Sequence, residues 1–336
     1  MGEVRERQKI DRRSALGLTA LTLTALPTRV YADVPAFEMI PLWSATPPGG
    51  EGLSLKTQAV EAGDDPRVPD RHLSLIGLPE LTAIRPANPD GSAILIVPGG
   101  GYSFEAYDRE GIEPALRFAQ LGTTAFVLTY RLPYEGWKNG ADVPLQDAQR
   151  AMRLIRAIGP AHYALEPNRV GVLGFSAGGH LAALLATKFA TPTYAPVDEV
   201  DKLDARPSFA ALLYAVVTLR RPYAHEASCE KLLGPDASRQ LRDAYSAEMS
   251  IVPDMPPCFI CAAGDDIYVA PENSLMMYSG LRAAKVTAEL HLFEKGGHGF
   301  GVRAQPGLAI SDWPELFWRW GQGGGYFAPA RSYAAR

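Results

Sequence analysis

The sequence predicts an α/β fold, a mostly parallel sheet with helices on both faces. Three observations carry that expectation. Short apolar runs alternate with longer, helix-spaced segments along most of the chain. The runs Ala93–Val97, Val170–Leu173, Phe209–Val217 and Pro257–Ala263 are almost wholly apolar rather than alternating, the pattern of strands covered on both faces. No repeat or interdomain linker interrupts the series, so residues 33–336 are expected to form one domain.

The remaining elements follow in order. Phe37–Trp43 is a strand candidate, and the Pro/Gly-rich stretch 44–69 is assigned little structure. Alternating apolar positions from Leu73 to Arg85 supply early strands. Ile112–Leu121 has helical spacing and Gly122 as its stop. Thr124–Tyr130 is a strand, Arg131–Gly140 a loop and Gln146–Ile158 an amphipathic helix. A polar insertion covers 191–207, and 218–253 is a candidate lid. Beyond the strand ending at Ala263 come a helix at Glu272–Ala283, a strand at Thr287–Phe293 and a closing helix at Asp312–Trp320.

Composition narrows the function classes. The chain has 336 residues, 47% of them hydrophobic, enough to bury a large core. A formal charge of −4 without Lys/Arg runs argues against a nucleic-acid partner. Three cysteines do not make a disulfide framework. Cys258 and Cys261 are three apart on a predicted strand, so their thiols should face opposite sides. No His/Asp/Glu grouping has metal-ligand spacing, so metal catalysis is not expected.

Residues 1–32 have the features of an export leader. Arg12-Arg13 precedes the apolar run Ala15–Leu26, which is too short to span a bilayer comfortably, and Val30-Tyr-Ala32 offers a small-x-small cleavage site. The paired arginines suggest the twin-arginine route, although Ala15 stands where a bulkier hydrophobe is usual. The expected destination is the periplasm or the medium.

The chemistry converges on strand ends. Gly174-Phe-Ser176-Ala-Gly178 links a strand to a helix in the Gly-x-Ser-x-Gly pattern. A serine in so tight a turn projects its hydroxyl above the sheet, and the chain on either side passes too close to itself for a Cβ. Pro98-Gly-Gly-Gly-Tyr102 ends another strand. Gly100, Gly101 and the N–H of Ala177 are the candidate oxyanion donors, because acyl transfer builds negative charge on the carbonyl oxygen. A phosphate loop would require a following Lys-Ser/Thr or a Gly-x-Gly-x-x-Gly frame, and both are missing. After the strand ending at Ala263, Asp265 and Asp266 compete as the orienting acid. Asp266 opens an Asp-x-x-Val-x-Pro frame and is preferred, whereas Asp265 suits a turn cap. His298, flanked by glycines after the last strand, suits a mobile general base, while His180 suits packing. The order Ser176, Asp266, His298 is that of α/β-hydrolases. Tyr102, Trp137 and Tyr268 are candidates for stacking on a substrate ring, with plain packing as the competing role.

The segments Ile96–Tyr102, Tyr130-Arg-Leu-Pro133, Pro144–Arg150, Pro167–Leu181, Gly264–Ser274 and Gly296–Phe300 resemble bacterial α/β-hydrolases of the acetylxylan esterase / BD-FAE-like carbohydrate esterase group. Some members of that group carry a xylanase label. The resemblance runs from about Pro41 to Trp320, with Pro98 standing where hormone-sensitive-lipase relatives have histidine. It implies an eight-stranded sheet, a Ser176–Asp266–His298 triad, no cofactor, and release of acetyl or related acyl groups from plant poly- or oligosaccharides. Competing expectations on the same fold are a short-chain carboxylesterase, an arylformamidase or a peptidase, and, outside enzymes, a sugar-binding pseudo-hydrolase. The expected partner is an oligosaccharide or small-molecule ester, without a stable membrane span.

Overall fold

A computed structural model of the protein describes residues 37–303 and 305–328. The leader expected at 1–32 lies outside these residues. The strands are β1 (Phe37–Pro41), β2 (Gln58–Glu61), β3 (Arg71–Ser74), β4 (Glu80–Ile84), β5 (Ala93–Val97), β6 (Glu105–Ala106), β7 (Thr124–Leu128), β8 (Val170–Phe175), β9 (Ala210–Leu213), β10 (Cys258–Ala263) and β11 (Ala288–Phe293). The α-helices are α1 (Glu113–Gln120), α2 (Val143–Tyr163), α3 (Ser176–Lys188), α4 (Glu226–Leu233), α5 (Arg239–Tyr245), α6 (Glu272–Ala283) and α7 (Trp313–Gly323).

Eight strands form one sheet in the order β1-β4-β7-β5-β8-β9-β10-β11. Strand β4 is antiparallel to both β1 and β7, and the remaining pairings are parallel. Every residue of β5 and β8 is buried, which is why these strands read as unbroken apolar runs. Two cores flank the sheet. One buries Leu95 and Val172 against Ala148 and Met152 of α2, Leu181 of α3 and Met277 of α6. The other buries Ile94 and Leu173 against Phe118 of α1 and Trp313 and Phe317 of α7.

Alternate faces separate the two strand cysteines, with Cys258 in the first core and Cys261 in the second. Both are free thiols. No described helix is long and apolar enough to cross a membrane.

Three departures from the sequence expectations have physical causes. The stretch 44–69 contains β2, which joins β3 and β6 in a second, antiparallel sheet. All four residues of β2 are exposed, so no apolar alternation marks it. The strand expected at 209–217 stops at Leu213, because Tyr214 takes a φ of 36°. Beyond it the N–H groups of Val217 and Thr218 donate to Asn273 Oδ1 instead of a strand. Helix α2 is longer than predicted, running to a left-handed Ala164 despite Pro160. The lid candidate 218–253 holds α4 and α5, with Cys229, Leu232 and Ala247 buried in the first core.

The motifs around Arg131 and Asp147 meet in a fully buried ion pair. Arg131 Nη2 lies 2.8 Å from Asp147 Oδ1, the backbone N–H of Arg131 donates to Oδ2, and Trp43 Nε1 donates to Oδ1. A buried pair with its remaining polar atoms satisfied fixes the loop between β7 and α2. Trp137 covers the Arg131 guanidinium at 5.0 Å and is only 7% exposed.

Candidate active site

Helix α3 starts at Ser176, immediately after β8, and Ser176 itself has a φ of 51°. A Cβ on Gly174 would approach Gly178 O to 2.3 Å, and one on Gly178 would approach Val97 O to 2.2 Å. Both are impossible contacts, so the turn requires glycine at these two places. The serine hydroxyl thereby enters a cavity of about 550 Å³ above the sheet.

His298 meets that hydroxyl from the loop after β11. Ser176 Oγ lies 2.9 Å from His298 Nε2, and His298 Nδ1 lies 2.7 Å from Asp266 Oδ2. An ionised carboxylate only accepts, so Nδ1 carries the hydrogen and Nε2 is free to accept from the serine. Asp266 Oδ1 accepts from the backbone N–H groups of Tyr268 and Val269, which fixes the carboxylate plane. Burial opposes the charge on Asp266, but the bonds from His298, Val269 and Tyr268 outweigh it and hold the carboxyl below its ordinary pKa.

Asp265 has a separate place. Its Oδ1 accepts from the N–H groups of Gly296 and Gly297, at 2.9 and 2.8 Å. The end of β10 thus holds the loop that carries His298.

Gly100 and Gly101 line the cavity beside Ser176. Ala177 follows Ser176 in the first turn of α3, where N–H groups have no acceptor within the helix. Gly100 and Gly101 thus adjoin Ser176 in the cavity lining, and Ala177 follows it along the chain.

Behind them lies a pair that the sequence reading did not single out. Glu110 is buried, and its Oε2 accepts from Gly99 N–H at 2.8 Å. Tyr214 OH donates to Glu110 Oε1 at 2.9 Å and accepts from Gly301 N–H at 3.1 Å. The Tyr214 ring meets the His298 ring edge-on, with centroids 4.9 Å apart. Burial pushes the Glu110 carboxyl up, against the bonds from Tyr214 and Gly99. Tyr214 directly follows β9, and the strand-end rule that located Asp266 and His298 applied to it as well.

Tyr102 and Trp137 do not serve as ring-stacking platforms. Tyr102 is completely buried and bonds His180 Nδ1 at 2.7 Å, because the glycine turn directs it into the core. Trp137 is held over Arg131. Tyr268 does face the cavity, 64% exposed, with its ring 5.8 Å from that of His298. His225 also lines the cavity, while its Nδ1 caps α4. A cavity of about 600 Å³ between Tyr134 and Leu233 has no serine–histidine pair in its lining, so size alone does not locate the chemistry. Among the described residues no group of three or more His, Cys, Asp or Glu is placed to hold a metal.

A family model described as the alpha/beta hydrolase fold matches residues 94–302. The chain belongs to this family. As an α/β hydrolase it is similar to an acetylxylan esterase of Xylanibacter ruminicola, 31% identical over 234 residues, or 68% of this chain and 45% of that protein. It is also similar to an endo-1,4-beta-xylanase B of Butyrivibrio fibrisolvens, 33% identical over 214 residues, or 62% of this chain and 32% of that protein. The chain therefore spans less than half the length of either relative. Among solved structures, an acetyl ester-xyloside bifunctional hydrolase from Caldicellulosiruptor lactoaceticus superposes with a TM-score of 0.71 at 34% identity, covering 88% of this chain and 98% of that one. A carboxylesterase from Lactobacillus plantarum shares the fold at 23% identity and a TM-score of 0.63, covering 82% of this chain and all of that one.

Proposed function

We propose that this α/β hydrolase is a serine esterase that removes acetyl or similarly short acyl groups from poly- or oligosaccharides. The observation that carries the reading is the continuous line Ser176 Oγ–His298–Asp266, with Gly100 and Gly101 lining the same cavity. Nucleophile, base and orienter lie within hydrogen-bond reach, and a place for developing negative charge adjoins them. The names of the acetylxylan esterase and acetyl ester-xyloside hydrolase relatives support the choice of ester and sugar.

In this mechanism Ser176 Oγ attacks the ester carbonyl while Nε2 of His298 takes its proton. Asp266 fixes the tautomer of the neutral imidazole and stabilises the imidazolium that forms. The backbone donors hold the oxyanion, each contributing about 3–4 kcal/mol in comparable sites. Collapse of the tetrahedral species breaks the bond to the sugar oxygen, and His298 returns the proton to that oxygen. A water then attacks the acyl-serine, again deprotonated by His298, and releases the carboxylic acid and the free Ser176 hydroxyl.

The test is acetate release from acetylated xylan by the wild type and by Ser176→Ala. Loss in the variant, with fluorophosphonate labelling confined to the wild type, supports the reading. Equal release from both proteins overturns it. Turnover of aryl acetates without release from any polysaccharide would mark a short-chain carboxylesterase. Export follows from residues 1–32, and a mature N-terminus near Asp33 in exported protein would support it.

A further inference from the structure

We propose that the wall formed by His72 and Arg109, braced by Asp70, is the subsite that binds the hydroxyls of the leaving sugar. The inference rests on the esterase reading above and extends it to a named recognition surface. His72, Asp70 and Arg109 line the same cavity as Ser176 and His298. His72 comes from β3 and pairs in register with Ala106 of β6. The small second sheet, which contributes no part of the Ser176–His298–Asp266 line, thus supplies one side of the cavity.

The wall sets polar side chains into a cavity lining that is otherwise mostly apolar. Asp70 is buried and paired with Arg109 Nη2, which braces the guanidinium from the protein side. The Arg109 side chain remains 40% exposed. The His72 ring stacks on Phe104, centroids 3.9 Å apart and planes 12° from parallel, so its position is set by packing. Burial holds the His72 imidazole below its ordinary pKa, and a neutral ring offers one donor and one acceptor. Donors and acceptors at fixed positions suit a group carrying several hydroxyls.

Charge balance selects the chemical class. Three guanidinium groups cluster here with three carboxylates: Arg71 with Asp108, Arg109 with Asp70, and Arg303 with Glu113. Arg303 also approaches Asp70 at 3.6 Å. No net positive charge is left to recruit an anionic substituent, so a neutral sugar fits this wall and a uronate does not.

The test compares two acetyl esters, an acetylated xylo-oligosaccharide and phenyl acetate, on wild type, His72→Ala and Arg109→Lys. The lysine keeps a cation beside buried Asp70 and removes the planar donors. The inference expects kcat/KM on the oligosaccharide, relative to that on phenyl acetate, to fall about five- to ten-fold in each variant, mainly through KM. Thermal midpoints identify any variant that has lost its fold, and the other then decides. An unchanged ratio overturns the subsite while leaving the esterase reading intact. A wild type inactive on both esters overturns the esterase reading and the subsite with it.

Discussion

Tyr214 and Glu110, 104 residues apart in sequence, share a buried hydrogen bond of 2.9 Å. Through it the backbone of Gly99, just before Gly100 and Gly101, is linked to Gly301, three residues beyond His298. The glycine loop after β5 and the loop that carries His298 are thus fastened to each other as well as to the sheet.

Tyr214→Phe should therefore affect turnover more than binding. It leaves Glu110 Oε1 without its donor and Gly301 N–H without its acceptor. We expect kcat to fall about 10- to 100-fold through misplacement of the base. Stability should drop by about 1–3 kcal/mol from the unpaired buried groups. Steady-state kinetics and denaturant melts read the two effects separately, and unchanged kcat with lowered stability would confine Tyr214 to a structural role.

Asp266→Asn keeps the size of the side chain and can retain the contacts of Oδ1 with Tyr268 and Val269. Its amide can present an N–H toward His298 Nδ1 and favour the wrong tautomer. Activity should fall by about 10⁴-fold with little change in melting temperature. A loss below ten-fold would remove Asp266 from its orienting role.

His180 gives stability a pH dependence. Burial pushes its pKa down to about 4, while Tyr102 OH and the Tyr245 carbonyl hold the ring. The unfolded chain binds a proton near pH 6.5 and the folded chain only near 4. Folding is therefore penalised as pH falls through that window, by roughly 3 kcal/mol across it, and this contribution is flat below. Urea unfolding between pH 7 and 4 should show the slope in the wild type and a shallower one in His180→Gln. Parallel curves would contradict it.

Gly178→Ala should fail in folding before it fails in chemistry. Its Cβ would lie 2.2 Å from Val97 O and 2.3 Å from Pro98 O, both backbone atoms that cannot move aside cheaply. We expect a loss of more than about 3 kcal/mol, or insoluble protein. Expression of a normally melting variant would show that the turn has slack.

Strand ends proved the most legible part of this chain. Ser176, Asp266 and His298 stand out because each follows an apolar run and two of them are flanked by glycine. The inner parallel strands β5, β7, β8, β9 and β10 were readable because burial on both faces leaves mostly apolar stretches. Strand β2 was not, since four exposed residues carry no such imprint. The wall of His72, Asp70 and Arg109 depends on how two sheets come together, which local pattern does not encode. Tyr102 shows the opposite hazard: an aromatic inside a functional motif that the turn directs into the core.

The three thiols, Cys229, Cys258 and Cys261, are all unpaired and buried. Burial raises Cys258 to about 12 and Cys261 higher still, so almost no thiolate exists in the native protein at neutral pH. Buried, protonated thiols are poor partners for thiol–disulfide exchange. The same seclusion makes each sulfur a clock for local opening. Alkylation at Cys229 would time the release of α4, and alkylation at Cys258 or Cys261 the rupture of the central sheet.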